Sequence, residues 1–410
     1  MSTAQSLPAA KMIVTPEFLQ DPYPTYAQLC AEAPIHRVHL NLERWAVVRH
    51  AECSQFLRDP RLISSSRVRQ FLSVLPSETR ANFTQLERMI EMWMLFLDAP
   101  EHTRLRKLMN KGFSPAVVEL LRTQVEEIVD DMLRPLASAD DVDLIRDLAY
   151  PLPVTVIAQM LGVPAALRQQ FIGWTNTFAV LFGSPVTLDT AIAAQDAVVA
   201  LTGFFRKVVA ERRKEKGRDL ISLLIDIEED GEVLTEEELY AQCVMLLFAG
   251  HETTRNLIGN GAFTLLKHPE HMAELRRNPE IIRTAVEELL RYESPVQFIS
   301  RNAAEEVEIA GVHIAPGDFV IFLLGAANRD PRRFDDPGRL NLRRAKNDHL
   351  AFGAGVHFCI GNQLARLEAQ VAILSLLRNF PKLQLADAMR EPEWVPNFIF
   401  RGLKHLPVCV

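Results

Sequence analysis

Residues 351–361 read AFGAGVHFCIG. Cys359 stands there among Gly353, Gly355 and Gly361, directly ahead of residues 362–379, whose apolar spacing predicts an amphipathic helix. Glycines let the backbone turn with positive φ and approach a flat partner closely, and amide N–H groups exposed by such a turn hydrogen-bond a thiolate sulfur. A cysteine at the mouth of a helix also has its thiolate favoured by the helix dipole. The stretch therefore predicts a ligand or nucleophile cysteine; a buried structural cysteine in a Gly-rich turn is the other reading.

Upstream, Thr235 followed by Glu238 forms a capping box, and the apolar pattern behind it predicts one helix to about residue 267. At 1.5 Å per residue it would be about 48 Å long, a length that runs through the middle of a domain. Halfway along lies Ala249-Gly250-His251-Glu252-Thr253-Thr254. Glycine costs about 1 kcal/mol in a helix interior, and a Thr hydroxyl bonds back to the i−4 carbonyl and bends the axis. A local widening there would leave space for a diatomic ligand above a flat cofactor; close helix packing is the alternative.

Residues 117–133 place Val117, Leu120, Leu121, Val125, Ile128, Val129 and Met132 on one helical face. A further helix is expected over 187–216, with a basic last turn and Gly217 as its C′ residue. Strands are expected at 45–49, at 307–314 around Gly311, and at 318–324 after Pro316-Gly317. With only 18 glycines in 410 residues and no repeat, low-complexity tract or linker, the chain reads as mainly α with a minor β region, one domain spanning 1–410.

Hydrophobic residues make up 48%, ample for a large core, and 45 Lys+Arg against 52 Asp+Glu leave a net charge of -7. That balance argues against nucleic acid as the main partner. Five scattered cysteines without a C-x-x-C pair disfavour disulfide scaffolds, zinc ribbons and iron–sulfur clusters. The opening MSTAQSLPAAKMIV lacks an export signal, and the apolar run 239–250 is too short to span a bilayer, so the expectation is a cytoplasmic protein without a membrane anchor.

Phe352, Gly355, His357, Cys359 and Gly361, as F-x-x-G-x-H-x-C-x-G, resemble the haem-binding loop of the cytochrome P-450 superfamily of haem-thiolate monooxygenases. The resemblance extends over nearly the whole chain in the expected order. It implies a triangular helical prism with haem b between the long helix and the helix after Cys359. It makes Cys359 the iron ligand, with Phe352, Gly353 and Gly361 around it. Ala249 and Gly250 would border a dioxygen groove, with Glu252 and Thr253 relaying protons. In Asp98-Ala99-Pro100-Glu101-His102-Thr103-Arg104-Leu105-Arg106, His102 and Arg106 are i, i+4 neighbours able to reach one anion, and in the family these positions hold haem propionates. Ala99 replaces a frequent Pro. Arg301 and His357 match two more propionate positions. Glu288 and Arg291 match a structural E-x-x-R element, with Arg339 of Asp336-Pro337-Gly338-Arg339 as the expected third member, although Leu340 stands where many relatives carry Phe.

The implied reaction is insertion of one oxygen atom, by hydroxylation or epoxidation, into an apolar small molecule such as a terpenoid, steroid, fatty acid or polyketide-like compound. No G-x-G-x-x-G flavin or NAD fingerprint is present, so electrons from NAD(P)H are expected through a ferredoxin reductase and a ferredoxin. A basic stripe of Arg104, Lys107 and Lys111 suits an acidic donor. Segments 61–97, 171–186, 245–253, 295–300 and 396–401 would line the substrate pocket with Trp93, Met94, Phe96, Phe178, Phe182, Phe298, Phe398 and Phe400. A peroxide-driven peroxygenase would need no partner, and a haem-based sensor would not need Glu252 and Thr253.

Overall fold

The computed structural model describes residues 11–410 apart from 41, 66, 68–74, 184–185, 218 and 230. Parts of the expected pocket segments 61–97 and 171–186 thus lie outside the described residues. The long helix runs Glu236–Lys267, with the expected box at its start: the Thr235 hydroxyl accepts the Glu238 N–H, and the Glu238 carboxylate accepts the Thr235 N–H. Three glutamates in the first turn and Lys267 in the last complement its dipole. It is buried on nearly every face, as a helix through the centre of a domain must be. Helices Pro151–Met160, Arg168–Gly183, Leu188–Lys214 and Asn362–Asn379 pack on it. Gly259 leaves room for Ile145, so the Ile145–Ala149 turn presses closely against it.

The main sheet has strand order Lys11–Met12, Ile35–Leu40, Leu42–Val47, Phe319–Leu323, Phe298–Ala303 and Leu62–Ile63. Its parallel pairing of Leu42–Val47 with Phe319–Leu323 joins the N-terminal part of the chain to the later part. Both faces are covered. Val47, Val320 and Phe322 enter one apolar cluster, while Ala46, Ile321 and Leu323 enter another, the alternation that a period of two dictates. The antiparallel partner places Arg301 opposite Val320.

The segment 117–133 is two helices, Pro115–Leu120 and Arg122–Leu133. The break shifts the register, so Leu120, expected inside, is 83% exposed, while Val118 takes its place and Val125 and Val129 stay buried. The helix expected to reach residue 216 ends at Lys214 with an extended Glu215. Gly217 does not adopt the left-handed cap conformation; its missing side chain instead leaves space for the Arg212 and Asp219 ion pair. By length and composition Leu188–Lys214, not residues 239–250, comes nearest to a membrane-spanning stretch, with mean hydropathy 1.3 over 18 residues. Its Ala191, Ala194, Val198, Leu201 and Phe205 are buried, and it packs against Arg168–Gly183 and the long helix.

Candidate active site

One cavity of about 920 Å³ is lined by all the residues expected to bind the cofactor or relay protons: Cys359, Phe352, Gly353, His357, Gly361, Ala249, Gly250, Glu252, Thr253, His102, Arg106 and Arg301. The Cys359 loop is closed by its own backbone, with the Gly353 N–H donating to Leu350 O at 2.8 Å and the Cys359 N–H to Phe352 O at 3.0 Å. Gly353 and Gly355 take φ of 71° and 74°, whereas Gly361, expected to share that conformation, has φ −81°. A Cβ on Gly355 would lie 2.7 Å from the Leu57 carbonyl oxygen. A Cβ on Gly361 would meet nothing within 4 Å, so glycine keeps that wall flat. Burial pushes the Cys359 thiol up, and the Gly361 N–H, Arg106 and Arg366 oppose it. Arg366, one turn into the Asn362–Asn379 helix, stacks 4.4 Å from the Phe352 ring centroid and bonds Glu287 at 2.6 and 2.9 Å, which pins the loop to Ile282–Tyr292.

Thr253 donates its hydroxyl to the Ala249 carbonyl at 2.9 Å. The helix stays α-helical over all of 236–267, so the widened turn expected near Gly250 is not formed; the groove arises because Ala249 and Gly250 carry so little side chain toward the cavity. Glu252 is ion-paired with Arg255 at 2.9 and 3.0 Å, and Asn256 donates to it at 3.4 Å. Thr254 also borders the cavity, although it is mostly buried. His251 turns the other way, toward the Thr175 hydroxyl and the Tyr150 carbonyl oxygen, each 3.2 Å away.

A cationic cluster closes another side. His102, on the Glu101–Gly112 helix, is 2% exposed, and its Nε2 has no partner. Its ring lies 4.2 Å from that of His357, whose Nε2 faces Ser64 Oγ at 3.1 Å. Burial lowers His102 to about 4. Arg106 donates to Phe358 O at 2.7 Å, and burial draws Arg301 down to about 10. Asp98 accepts the Ser64 and Ser65 N–H groups at 2.8–3.1 Å. Although burial opposes them, these bonds and His357 hold its carboxyl well below the ordinary value. Sequence reasoning gave no individual role to Asp98, Ser64 or Arg67, although Ser64 and Arg67 fall in the segment 61–97 expected to line the pocket, where Arg67 is found. Ser64 and His357 are 293 residues apart, and no local pattern joins them. A half-buried thiol on the cavity wall, a flat glycine-lined wall, and the half-buried Arg106 and buried Arg301 near the unpartnered His102 nitrogen are the donors a haem and its two carboxylates require, so the residues fit that cofactor.

The structural trio differs from expectation in one member. Glu288 and Arg291, both fully buried, pair through two bonds of 2.8 Å. The third side chain is Arg344, 3.0 Å from Glu288, whereas Arg339 offers only its carbonyl oxygen and points its side chain outward. Of the apolar and aromatic set, Met94, Phe96, Phe182, Phe298, Phe398 and Phe400 line the cavity. Trp93 and Phe178 sit behind that wall, Trp93 stacking on Phe248. In the basic stripe Arg104 pairs with Glu238 and donates to Val233 O, while Lys107 and Lys111 are exposed.

The family model Cytochrome P450 matches residues 68–393. Cytochrome P450 monooxygenase PikC of Streptomyces venezuelae is 43% identical over 398 residues, covering 96% of this chain and 92% of its own. The polyketide biosynthesis cytochrome P450 PksS of Bacillus subtilis is 37% identical, covering 96% and 97%. P450BioI, solved in complex with an acyl carrier protein bearing hexadec-9Z-enoic acid, superposes with a TM-score of 0.89 at 38% identity, covering 97% of this chain and 100% of its own. With this cavity, this cysteine loop and likeness along nearly its whole length, the chain belongs to the cytochrome P450 family and is a haem monooxygenase.

Proposed function

We propose that the chain works as one domain, 1–410, in the cytoplasm, inserting one oxygen atom into a polyketide-like or fatty-acyl apolar molecule. The observation that carries this reading is the single cavity shared by Cys359, the Ala249–Thr253 turn and the wall of Phe96, Phe182, Phe298, Phe398 and Phe400. Its volume of about 920 Å³ suits a large apolar ligand. PksS takes its name from polyketide biosynthesis, and P450BioI was solved with a fatty-acyl carrier protein; both support that substrate class.

The haem, when bound, supplies the oxidising chemistry on dioxygen. Cys359 holds its iron as thiolate, in a loop that the Phe352 carbonyl keeps rigid. His102, Arg106, His357 and Arg301 hold its carboxylates by charge-assisted bonds, each contributing roughly 1.5–3 kcal/mol. Thr253 turns its hydroxyl from Ala249 O to a water in the groove and donates a proton there. Glu252, released from Arg255, restores that proton from outside. The aromatic wall excludes bulk water.

Electrons come from a ferredoxin and its NAD(P)H-dependent reductase. The proximal surface suits such a donor, since the Cys359 loop exposes Val356 by 69% and Phe358 by 37% beside the helix that carries Lys107 and Lys111. Product formation in a reconstituted ferredoxin chain, compared with peroxide alone, tests the reading. Turnover should need the chain; equal product with peroxide alone would make the protein a peroxygenase.

A further inference from the structure

Arg67 lies on the cavity wall, with its Nε donating to Ser64 O at 2.8 Å and its Nη2 to Leu95 O at 2.7 Å. The guanidinium carbon stands 4.7 Å from the Phe96 ring centroid. Two carbonyls and an aromatic face fix its direction without neutralising its charge, and no carboxylate among the described residues forms an ion pair with it. Burial and the repulsion of Arg301 both disfavour the cation, against the attraction of Asp98. A half-buried cation beside another of the same sign is costly unless an anion joins them.

Ser64 gives the direction of that anion. Its carbonyl holds Arg67 while its hydroxyl meets His357, so Arg67 belongs to the same network as the proposed propionate residues. Arg301 and Asp98 are the charged neighbours that act on Arg67, and Asp98 already accepts the Ser64 and Ser65 N–H groups, whereas a haem brings two further carboxylates.

We propose that Arg67 binds a haem propionate alongside Arg106 and Arg301. This rests on the reading above that Arg301 and its neighbours take the propionates. An arginine so far from the motif residues is then a cofactor ligand held in place by Ser64.

The test is the rate at which the reconstituted protein releases haem to an excess of a haem-scavenging globin, with haemin or with haemin dimethyl ester, which has no carboxylate. Arg67→Gln should speed haemin release on the order of tenfold or more and leave ester release unchanged, and Arg67→Lys should recover part of the loss. Arg301→Gln is the control: if it too leaves haemin release unchanged, the propionate reading itself fails. Faster release in Arg301→Gln with none in Arg67→Gln overturns the proposal for Arg67 alone. Equal acceleration of both haems overturns it too, because the substitution would then only loosen the cavity. So would unchanged haemin release with a selective loss of affinity for fatty acids over fatty alcohols, which would assign the guanidinium to substrate.

Discussion

Thr253 carries the sharpest residue-scale prediction because its hydroxyl has a dispensable partner. The bond to Ala249 O adds little to helix stability, so Thr253→Ala keeps the fold while removing the proton donor from the groove. The variant should bind haem and substrate, consume reductant at a comparable rate, and release more of it as hydrogen peroxide; the ratio of peroxide to product is the measurement. Full coupling would mean that substrate hydroxyls or ordered water carry the proton instead. Glu252→Gln has two consequences, since it slows proton entry and also strips Arg255 of its only carboxylate among the described contacts. Turnover should fall, and stability should drop on the order of 2 kcal/mol in urea titrations, less than for a fully buried pair because both side chains remain about a tenth exposed. Unchanged stability would mean that Arg255 finds enough in Leu403 O, which it already bonds at 3.1 Å.

At the scale of elements, what was legible in the sequence was what local chemistry encodes. The capping box at Thr235 and Glu238 and the start of the Asn362–Asn379 helix after the glycine loop follow from residues within four positions of each other. Features set by distant partners were not legible. The helix break at Leu121 leaves the apolar count unchanged and alters only the face that is buried. The choice of Arg344 over Arg339 depends on how the loop after Pro337 folds back on Glu288, where Asn341 N–H and Asn347 also donate to the same carboxylate. Arg344→Ala should therefore cost about 1–3 kcal/mol in denaturant titrations, because it leaves the buried Glu288 less satisfied. Arg339→Ala should stay within about 0.5 kcal/mol, the usual range for an exposed side chain. The reverse order would restore Arg339 to the trio.

Across the whole molecule, buried histidines impose a pH dependence on folding. Burial lowers His50 and His251 to about 4, against an ordinary 6.5. Between those values the unfolded chain takes up protons that the folded one refuses, so stability is full above about pH 6.5 and is lost as pH falls toward 4. Each histidine contributes at most on the order of 3 kcal/mol to that loss. His251→Gln should flatten the slope of unfolding free energy against pH in this window, and an unchanged slope would place the lost stability elsewhere. The centre of the account is the assignment of Cys359, on the cavity wall, as the thiolate that would hold the haem iron. The absorption spectrum of the reduced carbonyl complex reads it directly. The wild type should show the band characteristic of thiolate ligation, Cys359→Ser should lose it, and Cys243→Ser, altering a buried core thiol on the long helix, should keep it. A thiolate band that survives in Cys359→Ser would contradict the assignment of the iron ligand and the site built around it.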